Sequence, residues 1–406
     1  MDLQAPHGEV ALGEAPPAEA PLAVSAGQAG PETPPPARAV QTGTEAPPPA
    51  RAPTEPAGGG GAPPRRRRLG WQLAGTAVVL AGAACAGMLI GPAGLPPGGV
   101  LLALADKLPF VSARSGLGSV GDAIVYQIRA PRVVLGGIVG AMLAMAGSAY
   151  QGVFQNPLAD PYLLGVAAGA GLGATLVIVL APTAAASAFG PLPLAAFGGA
   201  IVAVAATYAL GRSAGRLRSS ASLVLAGVAV ASFFTAIQTF LQQRSSSTLN
   251  TVYDWILGGL ATASWQQVEL VLPYVAVSAT VLVCSRRLLD VMSVGDEEAD
   301  SLGVRASRVR LAAVAAATLG TAAVVSVSGL IGFVGIIVPH TVRLVVGPSY
   351  RSILPLSALA GASFLILADL AARSLLSPAE VPLGVVTAVL GAPFFLVVLR
   401  QSRRLA

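Results

Sequence analysis

The sequence predicts an all-α membrane protein of about ten transmembrane helices behind a disordered N-terminal tail, and three observations carry that prediction. The 406 residues are 54% hydrophobic and only 11% charged, against about 25% charged in an ordinary globular domain; so few charges cannot cover a soluble fold of this length. Aromatic residues make up 5% while glycine alone contributes 47 residues, so the apolar mass is small-sided, as in closely packed membrane helices. Ten apolar stretches, each near the roughly 20 residues that a bilayer core requires, follow one another along the chain.

The tail, residues 1–68, comes first. Residues 1–64 hold 15 of the 32 prolines, with seven acidic side chains and two basic ones, a composition that cannot bury enough apolar surface to offset chain entropy. It lacks the basic start and apolar core of a signal peptide. Arg65 to Arg68 close the tail and abut the first apolar run, and residues 69–406 form the transmembrane domain.

The spans are expected near 70–90, 132–151, 162–181, 191–210, 221–241, 268–284, 309–327, 329–346, 352–376 and 383–400. The eighth is interrupted by Pro339, His340 and Arg343 and crowded by Gly329, Gly332 and Gly335 at its start, so it reads as a short or broken helix. Seventeen arginines flank the spans on the side of the N-terminus (Arg65–Arg68, Arg212, Arg216, Arg218, Arg286, Arg287, Arg305, Arg308, Arg310, Arg343, Arg351, Arg400, Arg403 and Arg404), against six basic residues on the other (Lys107, Arg114, Arg129, Arg132, Arg244 and Arg373). The positive-inside rule then predicts a cytoplasmic membrane protein with both termini in the cytoplasm. Gly136, Gly140 and Ala144, and again Gly165, Gly169 and Gly173, recur at four-residue spacing and read as packing seams.

Several chemistries are excluded. The only lysine, Lys107, follows no glycine-rich turn, so the chain has no P-loop with which to hold ATP. Two cysteines, Cys85 and Cys284, and two histidines, His7 and His340, provide neither a disulfide framework nor a zinc site. No catalytic constellation and no metal site is expected. Asp369 and Arg373 lie four apart on one helix and read either as a mutual pair or as a proton or substrate site; His340 reads as a cap or interface residue or as a ligand. Between the sixth and seventh spans, Gly295, Asp296, Glu297, Glu298, Ala299, Leu302, Gly303 and Val304 predict a short acidic helix bracketed by glycines, with its acids where the helix dipole favours them. It is either a docking element or a plain connector.

A family resemblance now becomes visible. The runs Arg129-Ala130-Pro131-Arg132-Val133-Val134, Gln151 to Val166 (QGVFQNPLADPYLLGV), Trp255-Ile256-Leu257-Gly258-Gly259-Leu260, the loop Ser293 to Val304, Gly332 to His340 (GFVGIIVPH), and Pro382 to Thr387 followed by Gly391-Ala392-Pro393-Phe394-Phe395 resemble, in order, permeases for iron-siderophore, haem and cobalamin uptake. These are the transmembrane subunits of type II ATP-binding cassette (ABC) importers, and the resemblance covers about residues 70–400. It implies the ten-helix permease fold, a homodimer with a central pathway, a cytoplasmic ABC ATPase dimer that holds the ATP and magnesium this chain does not, and an extracytoplasmic substrate-binding protein. No nucleic acid is involved. By the same resemblance Gly295–Ala299 and Leu302–Val304 dock in the ATPase, Arg129, Arg132 and Arg373 receive the binding protein, and Ser232, Phe233, Phe234, Thr235 and Gln238 of the fifth span line the pathway. For the three arginines, pairing with Asp122, Asp369, Glu380 or lipid headgroups is the alternative. The rival function is an ion-driven secondary transporter, which requires uptake by this chain alone and a working Asp369 or His340.

Overall fold

The computed structural model describes residues 65–107, 115–183, 190–213 and 220–402. Residues 1–64, Arg114, Arg216, Arg218, Arg403 and Arg404, on which parts of the tail and topology expectations rest, lie outside the described residues. The helices are α1 (Arg65–Leu89), α2 (Pro97–Asp106), α3 (Gly118–Ala123), α4 (Ala130–Val153), α5 (Val166–Leu180), α6 (Pro191–Ser213), α7 (Ser220–Arg244), α8 (Leu249–Leu257), α9 (Trp265–Met292), α10 (Asp296–Ser301), α11 (Ala306–Ser328), α12 (Val334–Val346), α13 (Tyr350–Ser374) and α14 (Leu383–Ser402). A π turn, Ile124–Arg129, joins α3 to α4.

Among the described residues seven helices are long and apolar enough to cross a membrane, α3 to α4 counting as one run of 36 residues. Of the other three expected spans, α5 and α12 are apolar helices of reduced length, and α14 runs 20 residues. α5 has 15 residues, about 22 Å at 1.5 Å per residue, against a hydrocarbon core of about 30 Å. It is short because Pro161–Leu164 wind as a 3₁₀ turn, capped by Asp160, whose carboxylate accepts from the Tyr162 amide at 2.8 Å. α12 has 13 residues because Gly329 and Phe333, both at φ 67°, hold the start of the expected eighth span out of the helix. α2 and α8, each too short to stand out as a span, are additions to the sequence reading.

α4 is the central post. It packs on α13, α11, α9 and α12, with Leu135, Val139, Met142 and Tyr150 fully enclosed. The four-residue glycine seam lets it approach α13 closely: a Cβ placed on Gly140 would stand 2.2 Å from the Gly361 carbonyl oxygen, so dispersion between backbones replaces side-chain interdigitation. The second seam does the same for α5 against α6, where Gly169 faces Gly199. The Tyr150 hydroxyl, buried in the core, is bonded to Thr318 of α11 at 3.0 Å.

The irregular segments satisfy one another. The Gly259 amide donates to Ser328 O at 2.9 Å and the Leu383 amide to Gly258 O at 3.0 Å. The Tyr162 hydroxyl donates to Ile331 O at 3.1 Å and accepts from the Ile331 amide at 3.2 Å. Four segments far apart in sequence thus meet at one junction, as non-helical backbone inside an apolar fold must.

Candidate functional site

The chain has two ends with charge, and helix directions define them. Trp265, at the start of α9, is bonded to Tyr126, whereas Met292, at its finish, is bonded to Gln155 just beyond α4; α4 and α9 therefore run in the same direction. α13 runs against them, from Tyr350, which touches Gly152, to Arg373, which reaches Gly87 of α1. α1 consequently begins at the end that carries α10.

At the α10 end the chain builds a compact acidic knob. Gly295 sits at φ 145°, ψ 157°, a conformation open essentially to glycine alone, and a Cβ there would lie 2.0 Å from a Glu298 carboxylate oxygen. The helix then stops in a Schellman motif: the Gly303 amide donates to Asp300 O and the Val304 amide to Ala299 O, each at 3.0 Å, with Gly303 at φ 78°. Ala299 is completely buried with Met292, Ala306 and Val309, and Val304 packs against them. Asp296 accepts from the Arg310 guanidinium at 2.6 Å, and the Asp300 carboxylate accepts from the Ala306 amide at 3.1 Å, capping α11.

The sequence reading missed two anchors of this knob. Asp290 accepts from the Ser349 hydroxyl at 3.1 Å and from the Tyr350 amide, and pairs with Arg351 at 3.3 Å, so the last turn of α9 caps α13. Gln155, at φ 50°, donates to Met292 O at 2.9 Å. With these contacts made, Glu297, Glu298 and Leu302 face outward, and neither glutamate pairs with a described cation.

At the opposite end five charged residues converge. Arg132 donates through Nε and one terminal nitrogen to Asp369 at 2.8–3.0 Å, and through both terminal nitrogens to Glu380 at 2.8 and 2.9 Å. Arg129 donates to the carbonyls of Met88, Leu89 and Ala93 at 2.8, 3.1 and 2.5 Å, closing the C-terminus of α1, where a cation complements the helix dipole. Arg373 donates to Gly87 O at 2.5 Å and stands 3.6 Å from Asp369. In this chain the three arginines are enclosed: Arg129, Arg132 and Arg373 are 3%, 7% and 3% exposed, because α1, α4, α13 and the loop after α13 close around them. Of the alternatives, Asp369 and Glu380 take Arg132; Asp122 instead accepts from Ser115 at 2.9 Å. The Asp369–Arg373 pairing exists but is the lesser one, since Arg132 holds Asp369 more closely. Glu380, outside the spans and partly exposed, has its pKa lowered by the hydrogen bonds from Arg132.

The fifth-span residues divide. Ser232, Phe233 and Thr235 are exposed on α7, and Ser232 and Thr235 line an open groove with Val228, Thr239 and Phe240. Gln238 faces another way. At 100° per residue it lies about 120° around the helix from Ser232, buried against Gly171 of α5; Phe234, half-buried, also turns away. His340 lies edge-on to Phe394, and the Arg343 guanidinium donates to the Tyr350 hydroxyl at 2.7 Å; no charged site converges on them among the described residues.

Residues 78–401 match the model of the FecCD transport family. The chain is 43% identical over 308 residues to the cobalamin import system permease protein BtuC of Halobacterium salinarum, covering 76% of this chain and 80% of that protein. It is 37% identical over 281 residues to the iron(3+)-hydroxamate import system permease protein FhuB of Bacillus subtilis, covering 69% of this chain and 72% of that one. A solved structure of an ABC transporter assigned to the metal-chelate type, in an inward-facing conformation, overlays with a TM-score of 0.69 at 29% identity, over 81% of this chain and 98% of that one. The chain belongs to the FecCD transport family and is a multi-pass membrane permease subunit of a type II ABC importer, not an enzyme.

Proposed function

We propose that this permease carries a metal chelate, cobalamin or a ferric siderophore, inward across the cytoplasmic membrane. A pair of ABC ATPase subunits, which hold ATP and magnesium, docks on the α10 knob. The observation that carries this reading is the knob itself: two outward carboxylates on a short helix followed by Leu302, anchored to α9 and α11, the form that helix-in-groove recognition uses. Arg65–Arg68 begin α1 at the same end as the knob, which supports a cytoplasmic knob and cytoplasmic termini.

A second copy of the chain completes the pathway along the open face of α7, where Ser232 and Thr235 offer weak polar contacts to a passing chelate. The extracytoplasmic binding protein meets the Arg132 end. To reach that guanidinium it has to displace Glu380, which already occupies it in bidentate fashion. Relatives carrying cobalamin and ferric hydroxamate support the chelate class, and cobalamin leads on identity.

The test is purification with and without the co-expressed ATPase, followed by uptake of labelled cobalamin and of ferric hydroxamate into proteoliposomes. ATP-dependent uptake that needs the ATPase and the binding protein is expected. Uptake by this chain alone under a proton or sodium gradient would overturn the reading in favour of a secondary transporter.

A further inference from the structure

The π turn Ile124–Arg129 leaves a backbone carbonyl, that of Tyr126, without a partner in its own helix. The Ala130 amide reaches back five residues to Val125 O. The next position is Pro131, which has no N–H. Tyr126 O therefore has no donor four residues on, where Ala130 is already engaged, nor five residues on, where Pro131 stands. The Trp265 indole supplies the bond: its Nε1–H donates to Tyr126 O at 2.8 Å.

Trp265 is the first residue of α9, fixed there by Ser264, whose hydroxyl accepts from the Gln267 amide at 3.3 Å. From this point α9 runs 28 residues to Met292, which is buried beneath α10 beside Ala299. At the other side of the π turn, Arg129 and Arg132 are only three residues apart, yet the first holds the end of α1 and the second holds Asp369 of α13. The wide turn sets the phase on which both aims depend.

We propose that Trp265 is a positioning residue for transport. By taking the carbonyl that Pro131 frees, its indole N–H holds the π turn in phase and ties the outer start of α9 to the segment carrying Arg129 and Arg132. Displacement at that end is thereby delivered along α9 to the ATPase-facing knob. The inference rests on the permease reading above and adds a residue to it.

The test uses the full transporter, chain plus ATPase plus binding protein, in proteoliposomes, with ATP hydrolysis measured with and without the binding protein. W265F is expected to lower the stimulated rate at least threefold while the basal rate stays within twofold and the thermal midpoint is unchanged. Replacing Trp265 by 3-benzothienylalanine, which keeps the bicyclic shape but carries sulfur in place of the N–H, is expected to do the same. P131A gives Tyr126 O a donor within its helix, so W265F on that background is expected to cause no further loss, a non-additivity that marks coupled sites. Wild-type stimulation by the benzothienyl protein, or an equal W265F loss with and without P131A, would overturn the proposal. A wild-type complex whose hydrolysis ignores the binding protein would instead overturn the permease reading beneath it.

Discussion

Both ends of this permease carry an arginine bound to an aspartate, and the two pairs leave their surroundings in opposite states. Arg132 and Asp369 meet at 2.8 Å with side chains 8% and 4% exposed; Glu380 and Arg373 crowd the same point, and Arg129 and Arg373 donate to carbonyls at and just beyond the end of α1. Arg310 and Asp296 meet at 2.6 Å, but Asp296 is 43% exposed, and Glu297 and Glu298 stand beside it without a described cation. In the first cluster burial forces every charge to find an internal partner. In the second, one pair fixes the helix and two carboxylates remain for something outside. The position of a charge near a membrane boundary does not distinguish these cases; the number of helices closing around it does.

The sharpest way to break this contrast is Asp369→Asn. It leaves Arg132 and Arg373 buried with Glu380 as the only carboxylate, and removing one partner of a buried pair costs about 3–5 kcal/mol. A large fall in the thermal midpoint of the detergent-purified chain is expected. An unchanged midpoint would show that the cluster does not hold α4 to α13.

This cluster also marks where the sequence was legible. Asp369 and Arg373 are four apart, so their proximity follows from helical spacing. The stronger partner, Arg132, is 237 residues away, and no local pattern announces it. Asp290 is the same case, capping a helix 60 residues on. The glycine brackets of the knob could be read because Gly295 and Gly303 are chosen for their own backbone angles, a local cause. The apolar spans could be read for the same reason, since hydropathy is a property of the segment. Their lengths were legible only in part: the glycines at the start of the eighth span announced a short α12, but that Phe333 also stands at φ 67° follows from nothing in a phenylalanine. For α7, composition identified a polar-flecked helix, but which side is open depends on α5, whose Gly171 receives Gln238.

The knob is broken next by Gly295→Ala, which places a non-glycine residue at φ 145° and a methyl group 2.0 Å from Glu298. Strain of this kind costs about 1–3 kcal/mol. Because the strain falls on the α9–α10 connection, far from the buried cluster, transport per ATP is expected to drop severalfold in proteoliposomes while the chain still purifies as a folded species. The milder change is Glu297→Gln with Glu298→Gln. Both side chains are exposed, so stability is expected to stay within about 0.5 kcal/mol, while affinity for the ATPase falls roughly tenfold, about 1.4 kcal/mol, and less so at high salt. Equal binding of the double variant in a titration would remove the carboxylates from the docking account.

The smallest effect tests the one member of the buried cluster that touches water. The hydrogen bonds from Arg132 hold Glu380 below the ordinary carboxylate range, so the folded chain keeps Glu380 ionised at a pH where the unfolded chain protonates it. Its contribution is therefore fully present above the unfolded value, near 4.5, and is lost as pH falls through the lower folded value. Glu380→Gln removes that contribution at all pH. The difference in thermal midpoint between wild type and E380Q is expected to be steady from neutral pH down to about 5 and to shrink below it, with a size under about 1 kcal/mol because the side chain is 35% exposed. A difference that instead stays constant through the carboxylate range would mean that Glu380 acts by packing its stem rather than by its charge. The Arg132 end would then be held by Asp369 alone, and an external carboxylate could approach Arg132 without an exchange.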